Sequence, residues 1–155
     1  MRKTLIFALL LSVFAVAALN SGAQEKQIKR SELPPAVEAR VAAESSGAVI
    51  KGFSEEKEKG QIHYEMELTV NGKSKDVTMD KAGNVLEVEQ EVALEELPPA
   101  VQEGLKGKAG SGKIVKVESL TKHEKLVAYE ADVVRNGQRS EIQVGPDGKP
   151  LAHEE

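Results

Sequence analysis

No cysteine and no tryptophan occur anywhere in the 155 residues. The first absence excludes the disulfide framework on which small secreted domains often depend, and with it lipid attachment at a cysteine. The second removes the indole platform that would suit sugars or bases. Phe7 and Phe14 lie in the N-terminal apolar run, so the rest of the chain keeps only Phe53, Tyr64 and Tyr129 as aromatics. Its core must therefore be aliphatic. Beyond residue 23 no apolar stretch approaches the roughly 20 residues needed to span a bilayer. Positive charge is also scarce. Without Arg2 and Lys3, 19 of the 21 basic residues remain against 25 acidic ones, a net charge of −6. An acidic surface argues against nucleic acid as a partner, because phosphate binding needs clustered Lys and Arg. It argues equally against adhesion to anionic lipid.

What is present begins with an N-terminal address. Arg2 and Lys3 form a basic start, Leu5 to Leu19 is almost unbroken apolar sequence, and Ser21-Gly22-Ala23 supplies small residues. This pattern predicts a secretory signal peptide over residues 1–23, cleaved after Ala23, and hence a periplasmic or secreted protein with no membrane insertion after cleavage. The apolar run is too short for a spanning anchor.

The remainder repeats itself. Leu33-Pro34-Pro35-Ala36-Val37 returns 64 positions later as Leu97-Pro98-Pro99-Ala100-Val101. With one extra residue placed before Gly112, the spacing becomes 65. Gly47 then matches Gly112, Lys51 matches Lys116, and Tyr64-Glu65 matches Tyr129-Glu130. Asn71-Gly72 matches Asn136-Gly137, and Gly83 matches Gly148. Elements recurring in one order imply two copies of one folding unit. Residues 24–30 read as a mobile polar lead, 31–91 as the first unit and 92–155 as the second.

Each unit opens with a helix whose prolines sit in the first turn, where a missing N–H costs nothing. Leu33, Val37 and Val41, and likewise Leu97, Val101 and Leu105, form a stripe on one helix face. Gly104 and Gly107 weaken the second helix by roughly 1 kcal/mol each relative to Ala. Strands follow, with Ile62, Tyr64, Met66 and Leu68 alternating against His63, Glu65 and Glu67. Val127, Tyr129, Ala131 and Val133 alternate in the same way against Ala128, Glu130 and Asp132. Period-two alternation turns one set towards the helix and the other towards solvent. Asn-Gly pairs make the hairpin turns. The predicted fold is α+β: two tandem units, each a helix packed on a four-stranded antiparallel sheet. Small isolated domains are marginal, so the units are expected to pack together or to share one sheet. The acidic stretch Glu89–Glu96 between them is placed to extend a strand.

In these features the chain resembles the PepSY and PepSY-like families of exported bacterial proteins. The resemblance rests on the Leu33-Pro34 and Leu97-Pro98 helix openings and on the closing turns Asp80-Lys81-Ala82-Gly83 and Pro146-Asp147-Gly148. The tandem form looks like the β-lactamase-inhibitor-like arrangement. The resemblance implies a non-enzymatic domain that binds proteins or restrains a peptidase.

Few groups suggest chemistry. Gly107-Lys108-Ala109-Gly110-Ser111-Gly112-Lys113 approaches a phosphate-binding loop, but Ile114 stands where Ser or Thr must hold magnesium. A helix precedes it and a strand follows, the reverse of the required context. No G-x-S-x-G elbow marks a nucleophile. The histidines His63, His123 and His153 lack metal-ligand spacing. His63 with Glu65 and Glu67 could supply half a zinc site, although a solvated strand face explains them as well. No catalytic residue, metal or cofactor is assigned. The leading expectation is an exported binding module, with another exported or envelope protein as partner. Strand phase makes His63, Glu65, Glu67, Glu130 and Asp132 the candidate contacts. The alternative is a small-ligand or cation binder using the same acidic face.

Overall fold

The computed structural model describes residues 24–58 and 60–155. The expected signal peptide falls on residues 1–23 and lies outside them. The described elements are β1 (Gln24–Ile28), α1 (Pro35–Glu44), β2 (Val49–Glu58), β3 (Gln61–Val70), β4 (Lys73–Asp80) and β5 (Val85–Glu91). Next come α2 (Pro99–Ala109), β6 (Lys113–Lys122), β7 (Lys125–Arg135) and β8 (Gln138–Val144). The eight strands form one sheet in chain order, every neighbouring pair antiparallel. Both helices lie on one face, which makes the fold α+β with a single large sheet. No helix among the described residues is long and apolar enough to cross a membrane.

Each helix stripe covers its own core. Leu33, Val37 and Val41 pack with Phe53, Tyr64, Met66, Leu68, Val77 and Met79. Leu97, Val101 and Leu105 pack with Val117, Ala131 and Val144, and Tyr129 closes the edge half-buried. Asn71-Gly72 and Asn136-Gly137 take positive φ at both positions and close β3–β4 and β7–β8 tightly.

Three expectations need correction. The two units do not keep separate sheets of four strands: of the two arrangements expected, the shared sheet is the one found. β5 pairs with β4 through Val77↔Val88 and with β6 through Glu91↔Glu118. A sheet ending at β5 would leave a row of unpaired N–H and C=O groups, and the β5–β6 ladder satisfies it. The lead at residues 24–30 is also placed differently, because residues 24–28 are β1. Gln27 pairs with Ser54 just as Glu91 pairs with Glu118, each residue 64 positions further on. β5 thus stands to α2 as β1 stands to α1, and the repeating order is strand, helix, three strands. Ile28 faces Phe53 and packs on the first core, a contact that the polar composition of the lead concealed.

The third correction concerns the extra residue of the second copy. A bulge separates Ile50↔Leu68 from Gly52↔Glu67, and the same bulge separates Ile114↔Val133 from Lys116↔Asp132. Lys51 therefore corresponds to Val115, and the spacing of 64 persists through β6. The additional residue is taken up at the β6–β7 hairpin, where Leu120↔Ala128 is followed by Thr121↔Leu126.

Close approach explains one of the two helix glycines. A Cβ on Gly104 would collide with the Gly148 carbonyl oxygen, and one on Gly148 with the Ala100 carbonyl oxygen. The first copy repeats the second of these, with Gly83 lying against Ala36. Nothing lies within 4 Å of a Cβ on Gly107. The two helix positions should therefore respond oppositely to Ala. Gly107→Ala should stabilise by about 1 kcal/mol through helix propensity, whereas Gly104→Ala should destabilise by about 1–3 kcal/mol through overpacking. Urea titration of both variants measures the two signs.

Candidate functional site: the acidic sheet face

The face of the sheet away from the helices carries the polar half of most strand alternations; Leu120 and Ala128 are buried exceptions. At the β7–β8 end the Glu155 N–H donates to Gln143 at 2.8 Å, so the C-terminal residues lie over that end. Antiparallel pairing lines these residues up across the sheet. One row runs Glu67, Asp76, Glu89, Leu120, Ala128 from β3 to β7. The adjacent row runs Glu91, Glu118, Glu130, Gln143 from β5 to β8. Like charges directly opposite one another on a sheet repel. At the seam between the two repeats, carboxylate oxygens of Asp76, Glu89 and Glu118 all lie within 4.8 Å of one another.

Local partners offset part of this repulsion. Lys116 bonds Glu118 at 2.7 Å, and Ser74 donates to Glu91 and Glu118 at 3.1 and 3.4 Å. Ser54, fully buried, donates to Glu65 at 3.4 Å. Gln143 donates to Glu130 at 2.7 Å. Lys122 approaches Glu87 at 3.5 Å, and Arg139 approaches Asp132 at 3.8 Å.

The charge imbalance is visible in the acidities. Burial first, then the charges of Glu118, Glu130, Glu87 and Asp76, push the Glu89 carboxyl up to about 8. Burial and the neighbours Asp76, Glu25 and Glu67 push Glu65 up to about 7, against the lowering effect of the Ser54 bond. Asp76 is raised to about 6 by burial and by Glu118, with Lys116 acting the other way. Glu130 and Glu141 are raised as well, burial being the main cause for both. Burial lowers Lys116, but its bond to Glu118 and the charges of Glu118, Asp76 and Asp132 outweigh that and leave it raised.

All five residues selected by strand phase lie on this face, but they do not adjoin as one group. His63, Glu65 and Glu67 belong to β3, with His63 at its start opposite Glu56 and Asp80. Glu130 and Asp132 belong to β7, with β4, β5 and β6 between them and β3. Asp76, Glu89, Glu118 and Lys116 fill the interval, and sequence reasoning did not select them. The alternation Glu87, Glu89, Glu91 was the available signal. It becomes meaningful only when β5 is the centre of a sheet rather than the edge of a unit.

No protein-family model and no curated protein matches the chain. Solved structures do share its fold. A proposed periplasmic protein of Bacteroides eggerthii superposes with a TM-score of 0.64 at 18% identity, over 77% of this chain and 86% of that one. A DUF2874 family protein of Bacteroides ovatus gives 0.60 at 17% identity, covering 77% and 84% of the two chains. A BLIP-like protein of Bacteroides fragilis gives 0.58 at 23% identity, covering 79% and 86%. At these identities the likeness establishes the fold alone.

Proposed function

We propose that this chain is an exported, non-enzymatic binding module that docks a partner protein on the acidic, helix-free sheet face. The observation that supports it is the excess of half-buried carboxylates at the seam, centred on Asp76, Glu89 and Glu118. Lys or Arg side chains on a partner would relieve that repulsion, and charge complementarity of this kind sets both specificity and association rate. The expected partner is another exported or envelope protein with a basic contact surface. Export follows from the N-terminal signal pattern, and the periplasmic description of the Bacteroides eggerthii protein agrees with it. Restraint of the bound protein, as in an inhibitor-like regulator, is the mode of action that the PepSY resemblance implies.

Cross-linking in an envelope fraction tests the docking face. Wild type should capture a discrete partner, and Asp76→Lys should abolish its capture while Lys81→Glu, in the β4–β5 turn, leaves it intact. A partner retained by Asp76→Lys, or none captured by wild type, would sink the idea.

The spacing of the three seam carboxylates favours one further reading, a hard divalent cation. An all-oxygen donor set suits Ca²⁺ or Mg²⁺ rather than zinc. A cation that binds only the folded state raises its stability. Millimolar Ca²⁺ should then raise the melting temperature of wild type and not of Glu89→Gln. An unchanged wild-type melt would remove this reading.

A further inference from the structure

On the opposite side of the sheet, between α1 and the β6–β7 hairpin, the two cores part over a cleft of about 580 Å³. Its floor is Val85 and Val88 of β5 with Thr121 of β6, and its walls carry Arg40, Glu44, His123 and Glu124. The volume lies within the range of small-molecule sites. Three observations converge on it.

The first is the lining itself, which combines an aliphatic floor with charges of both signs. Arg40 bonds Glu44 at 3.1 Å, and Lys75 reaches the same carboxylate at 3.5 Å. One carboxylate between two cations does not exhaust the five N–H donors of a guanidinium. The second is backbone strain. His123 and Glu124 take φ of 48° and 64°, the left-handed region, at the tip of the β6–β7 hairpin. The β3–β4 and β7–β8 hairpins use Asn-Gly for such a turn, the pair that adopts it readily. Left-handed backbone in residues of this bulk persists where the surroundings impose it, commonly at functional sites. Here the His123 N–H donates to the Leu86 carbonyl at 2.9 Å and ties the hairpin tip to β5. The third is the repeat. The extra residue of the second copy is a bulge at Val127 on the β7 arm of this hairpin. The turn position held by Gly60 (φ 83°) in the first copy is held here by Glu124 (φ 64°), so the copies differ beside the cleft.

We propose that this cleft is a binding site for a small zwitterion with an aliphatic body, of which a short aliphatic peptide is the simplest example. The valine floor takes the aliphatic side chains. Arg40 and His123 face the ligand's carboxylate, and Glu124 faces its ammonium. The site is independent of the acidic face across the sheet.

Leucyl-leucine is the probe, titrated into the uniformly ¹⁵N-labelled protein and followed by amide chemical shifts. Saturable shifts are expected at Asn84, Val85, Thr121, His123 and Glu124. N-acetyl-leucyl-leucine and leucyl-leucinamide, each lacking one charge, should bind at least about tenfold more weakly. Replacing the turn with the relaxed pair, His123→Asn with Glu124→Gly, should raise the melting temperature while weakening leucyl-leucine at least about tenfold. Because that variant is expected to be more stable, lost binding cannot be ascribed to unfolding. Arg40→Met should weaken the free dipeptide and leave leucyl-leucinamide unchanged. No saturable shift at millimolar dipeptide overturns the proposal. So does full affinity in the relaxed-turn variant, or capped peptides that bind as tightly as the free dipeptide.

Discussion

Lowering the pH from about 8.5 to about 5 is expected to stabilise the protein by several kcal/mol. The cause lies on the acidic face. Burial and mutual repulsion raise Glu89 to about 8, Glu65 to about 7 and Asp76 to about 6. In the unfolded chain such groups lose their protons near pH 4. Between about pH 4 and 8 the folded state therefore holds more protons than the unfolded one, and stability falls as the pH rises through that window. The contribution is fully present below the unfolded values and lost above the folded ones. Below about pH 4 the trend should reverse. Asp80, held down by its bonds to Asn84, and Asp147, held down by Lys149, then take up protons and lose those contacts. A series of thermal melts gives the profile directly. Glu89→Gln should flatten its upper limb and raise the melting temperature at pH 8 by several degrees. A profile that climbs steadily from pH 5 to 8 would contradict this electrostatic account.

The largest loss of stability should come from the cores. Leu68, on β3 beneath α1, and Leu105, on the buried face of α2, are essentially inaccessible to solvent. Truncating either to Ala is expected to cost about 2–5 kcal/mol, the removed contacts and the cavity acting together. Because β5 pairs with strands on both sides, each substitution should lower a single unfolding transition that spans the whole chain. Calorimetry discriminates, since the calorimetric and van't Hoff enthalpies agree for one cooperative unit. Two transitions, with only one displaced by Leu105→Ala, would mean that the halves melt independently despite the common sheet.

Much of this architecture was legible one element at a time. The stripe Val37, Val41 and its echo Val101, Leu105 announce two helices with one buried face each. Tyr64, Met66 and Leu68 alternate with acids and are buried as the alternation requires. Asn-Gly marks two hairpins. Local rules suffice for these because a helix face or a strand phase is encoded within a few residues. β1 escaped because Gln24–Ile28 carries only one apolar side chain, and its reason to be a strand is the edge of β2. Gly104 read as a weak point in α2, since nothing in the helix itself reveals the Gly148 backbone beside it.

The candidate site divides in the same way. Residue identity alone determined that one face of the sheet would be acidic, that the chain would have no disulfide and no tryptophan, and that its core would be aliphatic. It also determined the duplication, because side-chain patterning survives in both copies. Which carboxylates meet was decided only by tertiary pairing. Asp76, Glu89 and Glu118 come from three strands, and Glu118 lies 29 positions beyond Glu89. Their repulsion exists only because β4 bonds β5 across the seam and β5 bonds β6 beyond it. A cross-strand neighbour is set by the register of the ladder, and here that register joins two halves whose sequences, taken separately, describe two sheets.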